Sequence, residues 1–102
     1  MSQRTMNILG QCTPIFSILQ DENRQQIIMM LFDEKELSVT AITEKMSLSR
    51  PAVSHHLRLL LNVNLVAVRQ EGKERYYRLE LFKAVGLLES LLSSIKTDML
   101  EE

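Results

Sequence analysis

Leu48-Ser49-Arg50-Pro51-Ala52-Val53-Ser54-His55-His56-Leu57-Arg58-Leu59-Leu60 is the stretch that decides the fold. Ser49 suits a helix N-cap, because its hydroxyl can accept a free backbone N–H of the first turn. Pro51 follows in that turn, where a missing N–H costs nothing. At about 100° per residue, Ala52, Val53, His56, Leu57 and Leu60 fall on one side of the helix. Pro51, Ser54, His55, Arg58 and Asn62 fall on the other. One face can pack, and the opposite face carries hydrogen-bonding groups of the kind that enter a DNA major groove.

The residues on either side fit that reading. Upstream, Thr40 to Met46 predicts a short helix burying Ile42 and Met46, and Ser47-Leu48 a tight turn into the next helix. Two short helices joined by so short a turn make a helix-turn-helix. Downstream, Leu65-Val66-Ala67-Val68-Arg69 is rich in β-branched residues, Glu71-Gly72-Lys73 is a turn, and Arg75-Tyr76-Tyr77-Arg78-Leu79 is a second strand. A β-hairpin directly after a helix-turn-helix is a wing. Its tip and arms hold Arg69, Lys73, Arg75 and Arg78, cations that can reach phosphates beside the groove. Tyr76 and Tyr77 alternate across a strand, so one should pack and one should face out.

Further upstream, Leu37-Ser38-Val39 allows only a strand stub, and Asp33-Glu34-Lys35-Glu36 reads as a solvated loop. Asp21 should cap a helix from about Glu22 to Asp33, with Ile27, Ile28 and Leu31 as its core stripe. Residues 3–12 are weakly helical. Thr13-Pro14 predicts a restart, with Thr13 as N-cap and Pro14 as first helical residue of a piece reaching Gln20.

At the other end, about Glu80 to Met99 predicts a long helix. Leu81, Val85, Leu88, Leu92, Ile95 and Met99 step alternately by four and three, as a coiled-coil seam does. Phe82, Leu87 and Leu91 lie off that seam. Such a helix is apolar on two sides, so one side should pack on the core and the other on a second subunit.

Composition sets the bounds. The chain has 102 residues, 45% hydrophobic and 25% charged, enough for one globular domain. The expected division is an N-terminal helical region over 1–20, a core over 21–79 and a last helix over 80–102, the arms that the resemblance given below makes dimerisation regions. No apolar run would span a bilayer and no signal-peptide pattern opens the chain, so a cytoplasmic protein without membrane partners is expected. The net charge of −1 gives no global basic signal, so DNA binding would have to rest on local cations.

Catalytic and metal constellations are missing from the pattern. There is no Gly-rich phosphate loop, no Ser/His/Asp set and no carboxylate pair, so an enzyme is not expected. Neighbouring His55 and His56 diverge on a helix and cannot chelate one metal. His56 is expected in the core and His55 toward DNA. The single cysteine, Cys12, excludes an internal disulfide and reads as a small buried hydrophobe, with thiol sensing as the alternative. The six methionines are scattered core filler. No cofactor is expected.

From about Pro14 to Leu79 the chain resembles the ArsR/SmtB family of winged-helix repressors. Phe16 through Arg24 resembles that family's entry to its second helix. Leu48-Ser49 with Val53-Ser54-His55-His56-Leu57 resembles its recognition helix. Leu65-Val66, Arg69 to Lys73 and Tyr76-Tyr77-Arg78-Leu79 resemble its wing. The resemblance implies a mainly α fold with a small β-hairpin, in the order α-α-β-α-α-β-β-α. It implies a homodimer built from the first and last helices, here Ile15, Phe16, Leu81, Val85, Leu88, Leu92 and Ile95. It also implies repression from an inverted-repeat operator in double-stranded DNA. Ser49, Arg50, Ser54, His55 and Arg58 would face bases or phosphates, with Lys73 and Arg75 as wing contacts and Arg24 on a phosphate.

The sequence departs from the family where metals are sensed. A frequent Cys-x-Cys pair is matched by Ser38 and Thr40, and the last helix has no histidine. The family's turn glycine is Ser47 here, tolerated if its φ stays negative. The expectation is therefore a metal-independent repressor whose effector is a small molecule or a protein. The alternative is a winged-helix module that binds a protein and not specific DNA.

Overall fold

A computed structural model describes residues 1–101. The order is α1 (Gln3–Ile18), α2 (Glu22–Glu34), β1 (Glu36–Ser38), α3 (Val39–Lys45), α4 (Arg50–Asn62), β2 (Val66–Glu71), β3 (Glu74–Leu79) and α5 (Phe82–Leu100). That is the α-α-β-α-α-β-β-α order expected from the sequence.

The first helix corrects one expectation. α1 runs unbroken through Pro14, and Thr13 caps nothing. The Thr13 hydroxyl instead donates to the Leu9 carbonyl at 3.0 Å, one turn back. A proline inside a helix costs about 3 kcal/mol. Packing offsets this: Cys12 and Ile15, on either side of Pro14, are both buried. The true N-cap is Ser2, whose hydroxyl accepts from the Thr5 N–H at 3.2 Å.

Asp21 caps α2 as expected, accepting from the N–H groups of Asn23 and Arg24, which lower its carboxyl below the ordinary value. Ile27 and Leu31 of α2 join Val39 and Ile42 of α3 and Val53, Leu57 and Leu60 of α4 in one core. Met46 is only partly buried and packs at its margin. Ser47 keeps a negative φ, so the missing turn glycine costs nothing there; the positive-φ non-glycine residues are Lys35 and Asn64.

Asn64 explains how α4 hands over to the wing. At φ 60 it sits just past the helix end. Its N–H donates to the Leu61 carbonyl at 3.1 Å, and the Leu65 N–H donates to Leu60 at 3.1 Å. These are the two bonds of a Schellman motif, with asparagine supplying the left-handed residue. They turn Leu65 and Val66 straight into the core.

The hairpin closes through Gly72-Lys73, with Gly72 at φ 62 in the first turn position. A two-residue hairpin turn asks for glycine there. The stub β1 pairs antiparallel with β3, so the sheet has three strands in the order β1-β3-β2. Tyr77 is buried while Tyr76 is only half covered, as strand alternation requires.

α1 and α5 pack antiparallel, joined by polar groups that sequence reading passed over. Thr5 and Ser94 are buried and hydrogen-bonded to each other. The Thr5 hydroxyl also contacts Asp98 Oδ2 at 2.7 Å, and the Ser2 N–H donates to the same oxygen at 2.9 Å. These bonds hold the Asp98 carboxyl below the ordinary aspartate value. A carboxylate favoured by folding stabilises the fold above its unfolded pKa and loses that contribution as pH falls through the folded one. Unfolding midpoints should therefore drop more steeply below about pH 4 in the native chain than in Asp98→Asn. Parallel acid melts of the two proteins would remove Asp98 from the account.

Candidate nucleic-acid interface

α4 turns the face expected to pack inward and the other outward. Val53, Leu57 and Leu60 are fully buried, while His55, Arg58 and Asn62 are exposed and Ser54 is half-exposed. Ser49 caps the helix, accepting from the Ala52 N–H at 3.3 Å. His56 departs from expectation: it is half-buried, and its Nδ1 accepts from Arg24 NH1 at 3.2 Å. A guanidinium has no acceptor, so Nδ1 carries no proton in this arrangement.

Arg24 was expected on a phosphate. Its Nε donates to the Ile18 carbonyl at 2.6 Å, closing the end of α1. Between that carbonyl and His56, its side chain ties α1 and α2 to the recognition helix.

The cations divide into paired and unpaired sets. Arg69 is locked. Its guanidinium contacts Glu36 at 2.8 Å and Glu71 at 2.8 Å, and lies 4.5 Å from the centre of the Tyr76 ring. Glu36 is lowered from its ordinary value chiefly by these Arg69 hydrogen bonds. Arg78 lies 3.9 Å from Glu80. Arg50, at the start of α4, contacts Glu74 of the wing at 3.4 Å and Thr40 of α3 at 2.7 Å. Arg58, Lys73 and Arg75 are exposed and form no ion pair among the described residues. Among the described residues, one unpaired cation therefore stands on the outward face of α4 and two stand in the wing. The Arg69–Glu36 and Arg50–Glu74 pairings were not legible locally, since the partners lie 33 and 24 residues apart, whereas Glu71 and Glu80 stand two residues from their arginines.

The last helix, α5, has two apolar sides. Ala84, Leu91 and Ser94 are buried, and Leu87 packs on the core. Val85 at 48%, Leu92 at 59% and Met99 at 67% exposure face out. Of the other positions expected at a dimer surface, Phe16 is exposed, and Leu88 and Ile95 are half-buried. Ile15 and Leu81 already pack in or against the chain's own core. Phe82, expected off the seam, is exposed.

The chemistry for metals is sparse. Ser38 caps α3, accepting from the Ala41 N–H at 3.0 Å, and Thr40 is bonded to Arg50 and Glu74. Cys12 is buried, which raises its thiol pKa and suppresses the thiolate. Among the described residues no group of three or more His, Cys, Asp or Glu is placed to hold an ion. No helix is long and apolar enough to cross a membrane.

Comparison with known proteins agrees with this geometry. The model of the arsR family of bacterial regulatory proteins matches residues 21–68. The cadmium resistance transcriptional regulatory protein CadC of Listeria innocua is 38% identical over 74 residues, 72% of this chain and 62% of that protein. The chain spans less than two thirds of the length of the curated relatives it matches first. Reduced HlyU from Vibrio cholerae superposes with a TM-score of 0.74 at 30% identity, covering 88% of this chain and 94% of that one. The homodimeric winged helix-turn-helix DNA-binding domain Mb0332 from Mycobacterium bovis gives a TM-score of 0.71 at 28% identity, covering 96% and 88%.

Proposed function

The chain belongs to the ArsR family of transcriptional regulators, and from that premise we propose that it represses transcription as a homodimer on an inverted-repeat operator. The observation that carries this reading is the coincidence of the outward α4 face with unpaired cations. Ser54, His55 and Arg58 read base edges, while Lys73 and Arg75 hold flanking phosphates. Ser49 and Arg50 lie at the helix start, beside the backbone. Arg24 serves DNA indirectly, by fixing His56 and so the pose of α4.

The dimer is built on the outward side of α5 with Phe16 of α1. Exposed Val85, Leu92 and Met99 support it, as does the homodimeric Mycobacterium bovis relative. Residues 1–102 form one winged-helix unit, with 1–20 and 80–102 as the dimerisation arms of the 21–79 core. Metal independence is supported by donor chemistry: hydroxyls stand at Ser38 and Thr40, and both are engaged within the fold. The protein works in the cytoplasm, released from DNA by a small-molecule or protein effector.

Fluorescence anisotropy on the gene's own upstream DNA and on an unrelated duplex, at two salt concentrations, tests the reading. The upstream DNA should bind more tightly, and both affinities should fall with salt. Equal weak binding to both would reduce the protein to a non-specific polycation surface. Lys73→Ala should make the salt slope shallower by about 0.9 unit, one phosphate contact. An unchanged slope would take Lys73 off the DNA.

A further inference from the structure

Arg50 opens the recognition helix, yet its guanidinium turns away from the outward face of α4. NH1 donates to Thr40 Oγ1 at 2.7 Å, and NH2 lies 3.4 Å from Glu74 Oε1. The Thr40 hydroxyl donates its own hydrogen to Glu74 Oε2 at 2.9 Å. One residue each from α3, α4 and β3 thus closes a hydrogen-bonded ring. The Thr40 hydroxyl is the largest of the influences that keep the Glu74 carboxyl below its ordinary value.

This ring differs from the cage around Arg69. The Arg69 fork is saturated by two carboxylates and an aromatic face. Arg50 keeps one long ion pair and one hydroxyl contact, and its side chain is 51% exposed. Such a pair is weak enough for another anion to compete. Glu74 follows Lys73 in the wing and its carboxylate touches the Arg50 guanidinium at the start of α4, so a phosphate that approaches Arg50 meets this carboxylate.

We propose that Glu74 is a specificity-determining residue that withholds Arg50 from DNA phosphates until the recognition helix is fully seated. The proposal rests on the DNA-binding reading above. On an unrelated duplex Arg50 stays in the ring. Its charge is already compensated, so it displaces no counterion and adds nothing to affinity. On the operator, base contacts from α4 hold the helix start against the backbone, and a phosphate replaces the carboxylate. Loose contact is thereby penalised more than correct contact, which is discrimination by an unfavourable element.

Glu74→Gln, assayed by anisotropy across a salt series on both duplexes, tests this. Affinity for the unrelated duplex should rise about threefold to tenfold, and its salt slope should steepen by about 0.9 unit. Affinity for the upstream DNA should rise less, so the ratio of the two shrinks. The gain should vanish when Glu74→Gln is made in an Arg50→Ala background. Thr40→Val, which removes the hydroxyl that orients the carboxylate, should act in the same direction with smaller effect. A gain that persists without Arg50 would mean that Glu74 simply repels DNA, and would overturn the proposal. So would unchanged binding, or a loss on both duplexes at constant slope, which would make the ring a structural prop. Native protein that binds neither duplex would sink the DNA-binding reading together with this one.

Discussion

Leu57→Ala should lower the free energy of unfolding by about 2–5 kcal/mol, the range for truncating a large aliphatic side chain in a close-packed interior. Leu57 is fully buried and lies in the cluster that joins α2, α3, α4 and the wing. The helix-turn-helix cannot close readily around the resulting cavity. Its helices are short and are pinned at their ends, α3 by the Ser38 cap and α4 by the Ser49 cap and the Asn64 turn. Urea unfolding should show a lower midpoint with the same slope, since the surface exposed is nearly the same. A midpoint within the error of the native one would mean that Leu57 is not part of a rigid core.

Its neighbour should behave in the opposite way. Arg58→Ala should leave the urea midpoint nearly unchanged, because the side chain is exposed and forms no ion pair among the described residues. Operator affinity should fall by about 1–3 kcal/mol if the guanidinium spans a base edge, and discrimination should relax at one position of the site. A weakening that is equal on all sequences would reassign Arg58 to the phosphate backbone. Full retention of affinity would remove it from the interface. The two variants differ by one position in sequence and by about 100° around the helix, so together they test whether α4 has the two faces assigned to it.

The sequence made the element order legible because each element carries its own local signal. Ser49 and Asp21 announce helix starts, the Leu and Val spacing announces the faces, and Gly72 marks the hairpin turn. What stayed hidden depended on partners remote in the chain. Pro14 reads as a break until the burial of Cys12 and Ile15 beside it is known. β1 reads as a stub because three residues have no period; it becomes a strand by pairing with β3. The proposed DNA face could be read from the sequence as a list of cations but not as a division into free and engaged ones. Arg24, Arg50 and Arg69 look alike in sequence, yet each is held by groups elsewhere in the fold. Ser94 and Asp98 did leave a trace: they follow Ala84, Leu87 and Leu91 at helical spacing on one side of α5. That trace was masked by the stronger leucine seam beside it.

The hydroxyl and carboxylate cluster between α1 and α5 gives that last helix an address. Leucines alone would let α5 roll, or slide by a turn, and present either apolar side to α1 at similar cost. Thr5, Ser94 and Asp98 forbid the exchange, since rolling α5 would carry the carboxylate away from α1 and leave the Ser2 and buried Thr5 donors without their acceptor. The side of α5 that belongs to its own chain is thereby fixed by polarity, and the opposite side is free to drift in sequence as long as it stays apolar. With the dimer surface proposed above, two copies that had diverged on Val85, Leu92 and Met99 could cease to recognise each other while each still folded as before.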